Sequence, residues 1–424
     1  REFKLNKILF VLLVSCIGLT IIISCSSSSD EDDIVEITTT DTTAATLAEV
    51  TAVTTPTNDS TPDYTFSSSE AGTITYGGSC SSSIASATTD NNTITLVSLS
   101  DGTYSNCTIT VTDSAGNASS SLTMNSFVVD TTSPTVSSTS PSDSASSVSI
   151  GSTISVTFSE SIDNSSVTAN TSNTTCSESM QLSSNNFSSC IQMSSTPSAS
   201  NTNKTFSVTP SDNLSSETSY KIRVTTLVKD VVGNSMSNSY TTSNGFTSAD
   251  VTAPILSQVT AITTPTNDNT SSYTFSSTEA GTITYGGSCS SDNTSATIDN
   301  NTVTFNALAD GTYDNCTITV TDSASNASST LNVNTFVVDT TAPILSQVTA
   351  VTTPTNDNTS SYTFSSTEVG SITYGGNCSS STTAATTDNN TITFNALSDG
   401  TYSNCKISVT DNESNTSDNL SVSS

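Results

Sequence analysis

The side chains with chemistry to offer are carboxylates, and they recur at fixed spacing. An Asp, a Glu, and an Asp followed four places later by an Asn occur four times. The sets are Asp41, Glu70, Asp113 and Asn117; Asp130, Glu160, Asp230 and Asn234; Asp250, Glu279, Asp322 and Asn326; and Asp339, Glu368, Asp411 and Asn415. In the first, third and fourth sets Glu follows the leading Asp by 29 places, and the second Asp follows Glu by 43. Three carboxylates brought together repel unless something neutralises them. The chain carries 8 Lys and Arg against 38 Asp and Glu, so its own cations cannot serve every set. A hard cation that takes oxygen ligands, Ca²⁺, would serve. The competing reading makes Asp and Asn turn-capping residues and leaves Glu solvated, because turn chemistry alone selects these residue types. Both readings stand at this point. A catalytic carboxylate pair of the glycosidase kind is a third. Repetition in every set weighs against it and for a structural role.

Composition removes other chemistries. There is no His, which excludes Ser-His and Cys-His catalysis and the common zinc sites. A formal charge of −30 repels phosphate backbones, so nucleic acid is excluded as a partner. Apolar residues are 32% of the chain, enough for several small cores but not for one large one.

The elements that must position the carboxylates are read from repeats. Thr-Thr-Pro-Thr-Asn-Asp at residues 54–59 returns at 263–268 and 352–357. Residues 72–80 return at 281–289 and 370–378, and Asp-Gly-Thr-Tyr stands at 101–104, 310–313 and 399–402. The last two copies are offset by 89 residues and the first two by 209, so a different domain is inserted between the first and the third. The predicted domains are 41–129, 130–249, 250–338 and 339–424. Within a copy, apolar residues alternate with polar ones: Tyr273 and Phe275; Ile283, Tyr285 and Cys289; Val303 and Phe305; Cys316, Ile318 and Val320. Period two, turn residues between the runs, and about seven strands in about ninety residues predict an all-β chain of tandem antiparallel immunoglobulin-like β-sandwiches. In such a sandwich the leading linker and the loops after the second and sixth strands lie at one pole, which gathers each carboxylate set.

Eight cysteines fall two to a domain: Cys80 with Cys107, Cys176 with Cys190, Cys289 with Cys316, and Cys378 with Cys405. Three pairs are 27 apart and join the end of the third strand to the start of the sixth. Two thiols per domain without His make poor metal sites, so disulfides and an oxidising compartment are expected. The remaining two are Cys16 and Cys25. Arg1, Lys4 and Lys7 precede an apolar run from Ile8 to Ile23, which is short for a membrane span and reads as a secretory signal over residues 1–24. Ile22-Ile23-Ser24-Cys25 resembles the bacterial lipobox, which implies lipidation at Cys25 and a lipid anchor in the membrane. An acidic, Ser/Thr-rich tether over 25–40 follows.

Residues 134–247 resemble the SbsA-type bacterial Ig-like domain. The likeness is carried by Ser140-Pro141-Ser142-Asp143, by Ile154-Ser155-Val156-Thr157-Phe158-Ser159-Glu160-Ser161-Ile162-Asp163, by Pro210, Leu214 and Tyr220, and by Lys229-Asp230-Val231-Val232-Gly233-Asn234. The other three domains resemble Ig-like repeats of bacterial adhesins, through Val129-Asp130-Thr131-Thr132-Ser133-Pro134 and Val338-Asp339-Thr340-Thr341-Ala342-Pro343. Tyr104 is similar to the immunoglobulin tyrosine corner, although it stands three residues before Cys107 rather than two. These resemblances imply architecture and display at the bacterial cell surface or outer membrane, and name no ligand. The expectation is a non-catalytic, lipid-anchored surface stalk or adhesin that needs no cofactor beyond structural Ca²⁺. Its partners would be the membrane and a host, matrix or neighbouring-cell protein or glycan. Two alternatives are a glycan- or protein-binding second domain and the accessory stalk of a surface enzyme. The fourth copy reaches Ser424 without a counterpart of Phe336 and Val337, which leaves a natural and a shortened end equally open.

Overall fold

The computed structural model describes residues 40–423. Signal residues 1–24, Cys16, the lipidation residue Cys25 and nearly all of the tether lie outside them. The fold divides into two units, one reaching Asp130 and one starting at Thr131.

The first unit has nine strands: β1 (Leu47–Thr51), β2 (Asp63–Ser68), β3 (Gly72–Gly77), β4 (Ser86–Ala87), β5 (Asp90–Thr95), β6 (Gly102–Tyr104), β7 (Thr108–Thr112), β8 (Leu122–Thr123) and β9 (Phe127–Val129). One sheet has the order β1-β2-β5, the other β4-β3-β7-β8, and β6 and β9 pair as a ribbon. Every pair is antiparallel. The alternation read from sequence is what folds them. Tyr64 and Phe66 of β2, Ile94 of β5 and Ile109 and Val111 of β7 are buried, and the residues between them face outward. Outward Thr65 and Thr93 share a hydroxyl–hydroxyl hydrogen bond of 2.8 Å across β2 and β5. Such cross-strand pairs add roughly 0.2–1 kcal/mol each and let a Lys-poor surface hold its sheets.

Seven strands were expected, and the difference lies at two breaks. The sixth strand is split into β6 and β7 around Cys107, whose sulfur bonds Cys80. The seventh is split into β8 and β9 around Asn125, whose backbone N–H and side-chain amide donate to the Glu49 carboxylate at 3.1 and 2.5 Å. Across the breaks the Met124 N–H still donates to the Cys107 carbonyl at 2.9 Å, and the disulfide and the Glu49 bonds add to it. Tyr104 donates its hydroxyl to the Ser100 carbonyl at 2.8 Å, which closes the corner ahead of the split strand. Gly78 turns the chain after β3 at φ +74°, where an added Cβ would collide with the Asn106 carbonyl, and Cys80 thereby comes to lie beside Cys107.

The second unit holds three separate cores. In the one around Val156, Phe206 and Ile222, strands Val136–Ser140, Ile154–Phe158, Thr205–Val208 and Ser198–Ser200 make one sheet. Met180–Ser183, Ser219–Val224, Tyr240–Thr241 and Phe246–Thr247 make the other. A 3-10 turn over Asn164–Ser166, capped by Asp163, is the one helical element among the described residues. The next core repeats the first unit strand for strand, from Leu256–Thr260 to Phe336–Val338. The last repeats its two sheets, from Leu345–Thr349 to Leu420–Ser421. Among the described residues no helix is long and apolar enough to cross a membrane. The chain is all-β, built of tandem antiparallel sandwiches.

The disulfides are Cys80–Cys107, Cys176–Cys190, Cys289–Cys316 and Cys378–Cys405. Three of them close separations of 27 residues, worth about 3.5 kcal/mol each in the chain-entropy description. Cys289→Ala with Cys316→Ala should therefore unfold its sandwich at markedly lower urea while the other three transitions stay in place. Peptide mapping without reductant should recover the four pairs within domains, and links between domains would contradict this fold.

Candidate metal centre

Each carboxylate of a set is seated by its own local device. In the first unit Glu70 occupies the turn between β2 and β3, where the Ser68 hydroxyl donates to the Glu70 carbonyl at 2.6 Å. Asp113 follows β7 in an Asx turn, its Oδ1 accepting the N–H groups of Ala115 and Asn117 at 2.8 Å each. Asn117 Nδ2 donates to Asp113 Oδ2 at 2.8 Å and to the Asp41 carbonyl at 3.1 Å, tying the leading segment to this turn. Asp41, Glu70 and Asp113 each present a carboxylate oxygen within 4.8 Å of the others.

The sandwich that follows Asp250 builds the same group from Asp250, Glu279 and Asp322, again within 4.8 Å. Asn326 donates its backbone N–H and its amide to Asp322 at 2.8 and 2.9 Å, and reaches the Asp250 carbonyl at 3.4 Å. Asp250 Oδ1 also accepts the Ser216 hydroxyl at 3.1 Å and the Thr252 N–H at 2.9 Å.

In the last sandwich the close group is Asp339, Asp411 and Glu413. Glu413, which spacing did not single out, joins the two aspartates here. The Glu413 N–H is bonded to Asp411 Oδ1 at 2.9 Å, which seats it in the Asx turn beside the two aspartates. Glu368 faces the same two aspartates from the other loop. The copies have Ala115 and Ala324 at the place of Glu413, so the exchange was visible in the alignment of repeats.

The four asparagines have a positioning role in the structure. The amide nitrogens of Asn117, Asn234, Asn326 and Asn415 each donate to the second Asp of their set and hold it in place. In the inserted domain Asp230 is 1% exposed and accepts the N–H groups of Val232, Gly233 and Asn234 at 2.8, 2.6 and 2.9 Å. Glu160 follows strand Ile154–Phe158 and is half-buried. Asp130 closes the first unit, its N–H donating to the Thr57 carbonyl at 2.9 Å. One further carboxylate was missed. Asp310 accepts the Thr340 N–H and hydroxyl at 2.8 and 2.7 Å and the Thr341 hydroxyl at 2.5 Å, clamping the linker after Asp339. These bonds hold its carboxyl below the usual Asp range.

The electrostatics divide within a set. Bonds from the Asn117 side chain and backbone hold Asp113 below its ordinary range. Burial works against the charge of Asp322, and the bonds from Asn326 outweigh it, so Asp322 is also held low. Glu279 goes the other way, raised by burial and then by the charges of Asp250, Asp322 and Glu217. Glu368 is likewise raised, by burial and then by Asp339 and Asp411. Asp113 and Asp322 are thus turn caps held in the charged form by their own turns, as the turn reading requires. Glu279 and Glu368 are the carboxyls on which burial and the neighbouring charges press, as the cation reading requires. An oxygen-only group of this kind suits a hard ion.

Residues 130–248 match the family of the bacterial Ig-like domain. No curated protein matches the chain. Among solved structures, the N-terminal part of the bacterial S-layer protein SbsC is similar at 15% identity, over 63% of this chain and 45% of that one, with a TM-score of 0.21. SbsC domains 1–6 align at 11% identity over 68% and 59%, also at 0.21. A Dscam chain, from a structure describing isoform specificity, aligns at 8% over 88% and 97%, at 0.21. The chain spans about half the length of the S-layer proteins it matches.

The raised position of Glu279 sets a pH test. Its charge destabilises the fold above its folded pKa, and that penalty fades as pH falls through the folded pKa and is gone below the unfolded value. With chelator present, Glu279→Gln should therefore melt a few degrees above wild type at pH 7. The advantage should vanish near about pH 4, where the wild-type carboxyl is itself protonated. Thermal scans across pH check this, and an equal or lower melting point at pH 7 would contradict the crowding.

Proposed function

We propose that this chain is a non-catalytic cell-surface stalk or adhesin whose Ig-like sandwiches hold Ca²⁺ at their leading poles. Anchoring by a lipid at Cys25 belongs to the same reading, with the membrane as one partner and a protein or glycan of a host, matrix or neighbouring cell as the other. The observation that carries it is the recurrence of one three-carboxylate geometry in sandwiches that fold around separate cores. An active site would not need a copy in each. The bacterial Ig-like match over residues 130–248 supports an exported, structural role. Asp41, Glu70 and Asp113, or Asp250, Glu279 and Asp322, would supply the oxygens. The ion would supply the positive charge that this Lys-poor surface lacks, and so fix the leading segment against both loops.

A second reading makes the inserted domain the recognition module. It is favoured by a surface feature its neighbours do not share. The Arg223 guanidinium lies 3.9 Å over the Phe187 ring and donates to Gln181 at 2.7 Å, and the Cys176–Cys190 bridge closes a loop of the same domain. A cation beside an aromatic face suits a protein or glycan surface.

Calorimetric titration should find several Ca²⁺ equivalents per chain at or below millimolar concentration, with the melting point rising as they bind. Absence of uptake at that concentration would remove the ion from the proposal. Protease added to intact cells should shed the sandwiches, and full protection would remove the surface location. Deleting the inserted domain should leave attachment unchanged under the stalk reading and abolish it under the second.

A further inference from the structure

The described residues hold five Lys and Arg, and four of them, Lys204, Lys221, Arg223 and Lys229, belong to the inserted domain. None of the five forms an ion pair among the described residues, although the chain carries 38 Asp and Glu. Two of these cations share one face. In strand Ser219–Val224 the side chains of Tyr220, Ile222 and Val224 are buried in the core, so Lys221 and Arg223 between them point outward. Two places apart along a strand, they stand roughly 7 Å from each other. Arg223 lies opposite Gln181 on one side and Thr241 on the other, and Lys221 lies opposite Ser183.

The guanidinium of Arg223 is fixed in advance of any ligand. Its Nε donates to Gln181 Oε1 at 2.7 Å. Gln181 is 2% exposed, and its own amide donates to the Glu178 carbonyl at 2.6 Å. The Arg223 Cζ also lies 3.9 Å from the centroid of the Phe187 ring. That ring is held out by a turn in which Asn186 has φ +56° and Phe187 has φ +63°, a region that a bulky residue rarely enters. The buried Ser183 hydroxyl accepts the Phe187 N–H at 2.9 Å and donates to the Ser189 carbonyl at 2.7 Å, and the Cys176–Cys190 bridge closes the loop. The strained turn thus places an aromatic face against an arginine. The two Nη groups of Arg223 make no hydrogen bond among the described residues, and neither does the Lys221 ammonium.

We propose that this face binds a polysaccharide bearing carboxylate or sulfate groups, with one such group on the Arg223 Nη fork and Lys221 beside it. The proposal rests on the reading of the inserted domain as the recognition module, and gives that module its class of ligand. A planar guanidinium offers two parallel N–H donors to an oxyanion, and here no rotation of the side chain has to be frozen on binding. Both edges of strand Ser219–Val224 are already paired, so a peptide cannot add beside these cations through its backbone. Exposed Ser219 and Thr241 instead offer hydroxyls of the kind that pair with sugar hydroxyls. A chain of charge −30 repels anionic polymers as a whole, so uptake of one reports a local site and not bulk attraction.

The test is calorimetric titration of the whole chain with polygalacturonate, dextran sulfate, neutral dextran and polyglutamate. Chelator is present throughout, so that no divalent ion can bridge acid to acid. One or both charged polysaccharides should bind, and which of them binds separates carboxylate from sulfate. Dextran and polyglutamate should not bind. Arg223→Lys keeps the charge and loses the fork, and should weaken binding about tenfold. Lys221→Gln leaves the buried Gln181 bond intact and should also weaken binding, which keeps the proposal testable if the first variant fails to fold. Lys406→Gln, in another sandwich, should change nothing. No uptake of either charged polysaccharide, equal uptake of dextran, or undiminished binding by Lys221→Gln would each overturn the proposal. Equal or tighter binding of polyglutamate would make an acidic protein segment the partner and overturn it too. Cell attachment separates the two levels. Attachment lost on deleting the inserted domain, with neither polysaccharide bound, overturns the ligand and spares the recognition reading. Attachment kept on that deletion overturns the reading and the proposal with it.

Discussion

The pairing of β3 with β7, and of its equivalents, is the constraint on which the rest depends. In the first unit the register runs from Gly77 opposite Thr108 to Thr73 opposite Thr112. Just beyond one end of that pair lie Cys80 and Cys107, joined as a disulfide. Just beyond the other lie Glu70 and Asp113. Sulfur chemistry at one pole and carboxylate chemistry at the other are therefore two ends of one ladder. A slip by one residue would turn Ile74, Ile109 and Val111 outward and part both pairs at once. Gly72 permits the close approach at the carboxylate end, since a Cβ there would collide with the Thr112 carbonyl. The same register returns with Gly286 opposite Thr317 and with Gly375 opposite Lys406.

With the strands fixed, the carboxylates acquire unequal roles. The second Asp of each set is surrounded by donors its own turn supplies, and at Asp113 and Asp322 these hold the carboxyl low. Glu279 and Glu368 are instead raised by burial and then by the charge of both aspartates of their sets. That imbalance, rather than the number of acids, is what gives the cation reading its physical content.

Much of this was legible in the chain itself. Alternation such as Tyr273 and Phe275 fixed which face is buried, and cysteines falling two to a domain fixed the bridges. The 27-residue spacing even located them, because it matches the span from the end of one strand to the start of its neighbour. Three features were not legible, each for a stated reason. Spacing cannot tell whether an asparagine turns its oxygen or its nitrogen toward a carboxylate, and in all four sets the nitrogen does so. The breaks at Cys107 and Asn125 depend on bonds to residues far away in sequence, Cys80 and Glu49. The clamp of Asp310 on Thr340 and Thr341 appears only once the third and fourth sandwiches are folded beside each other.

Continuity of the backbone ties these parts together at the junction before the last sandwich. Val338 is 1% exposed in one core, and the next residue, Asp339, belongs to the carboxylate group of the following one. The Asp339 N–H donates to Thr266 behind it at 2.9 Å, while its carbonyl accepts the Asn415 amide ahead of it at 2.8 Å. One residue is thus held by two folded cores, and the Asp310 clamp removes the freedom of the two threonines that follow. Rotation at this junction would have to break bonds in both sandwiches. An ion bound at that pole would rest on a group each core must be folded to position. Ion binding and the stability of both neighbours would then rise and fall together.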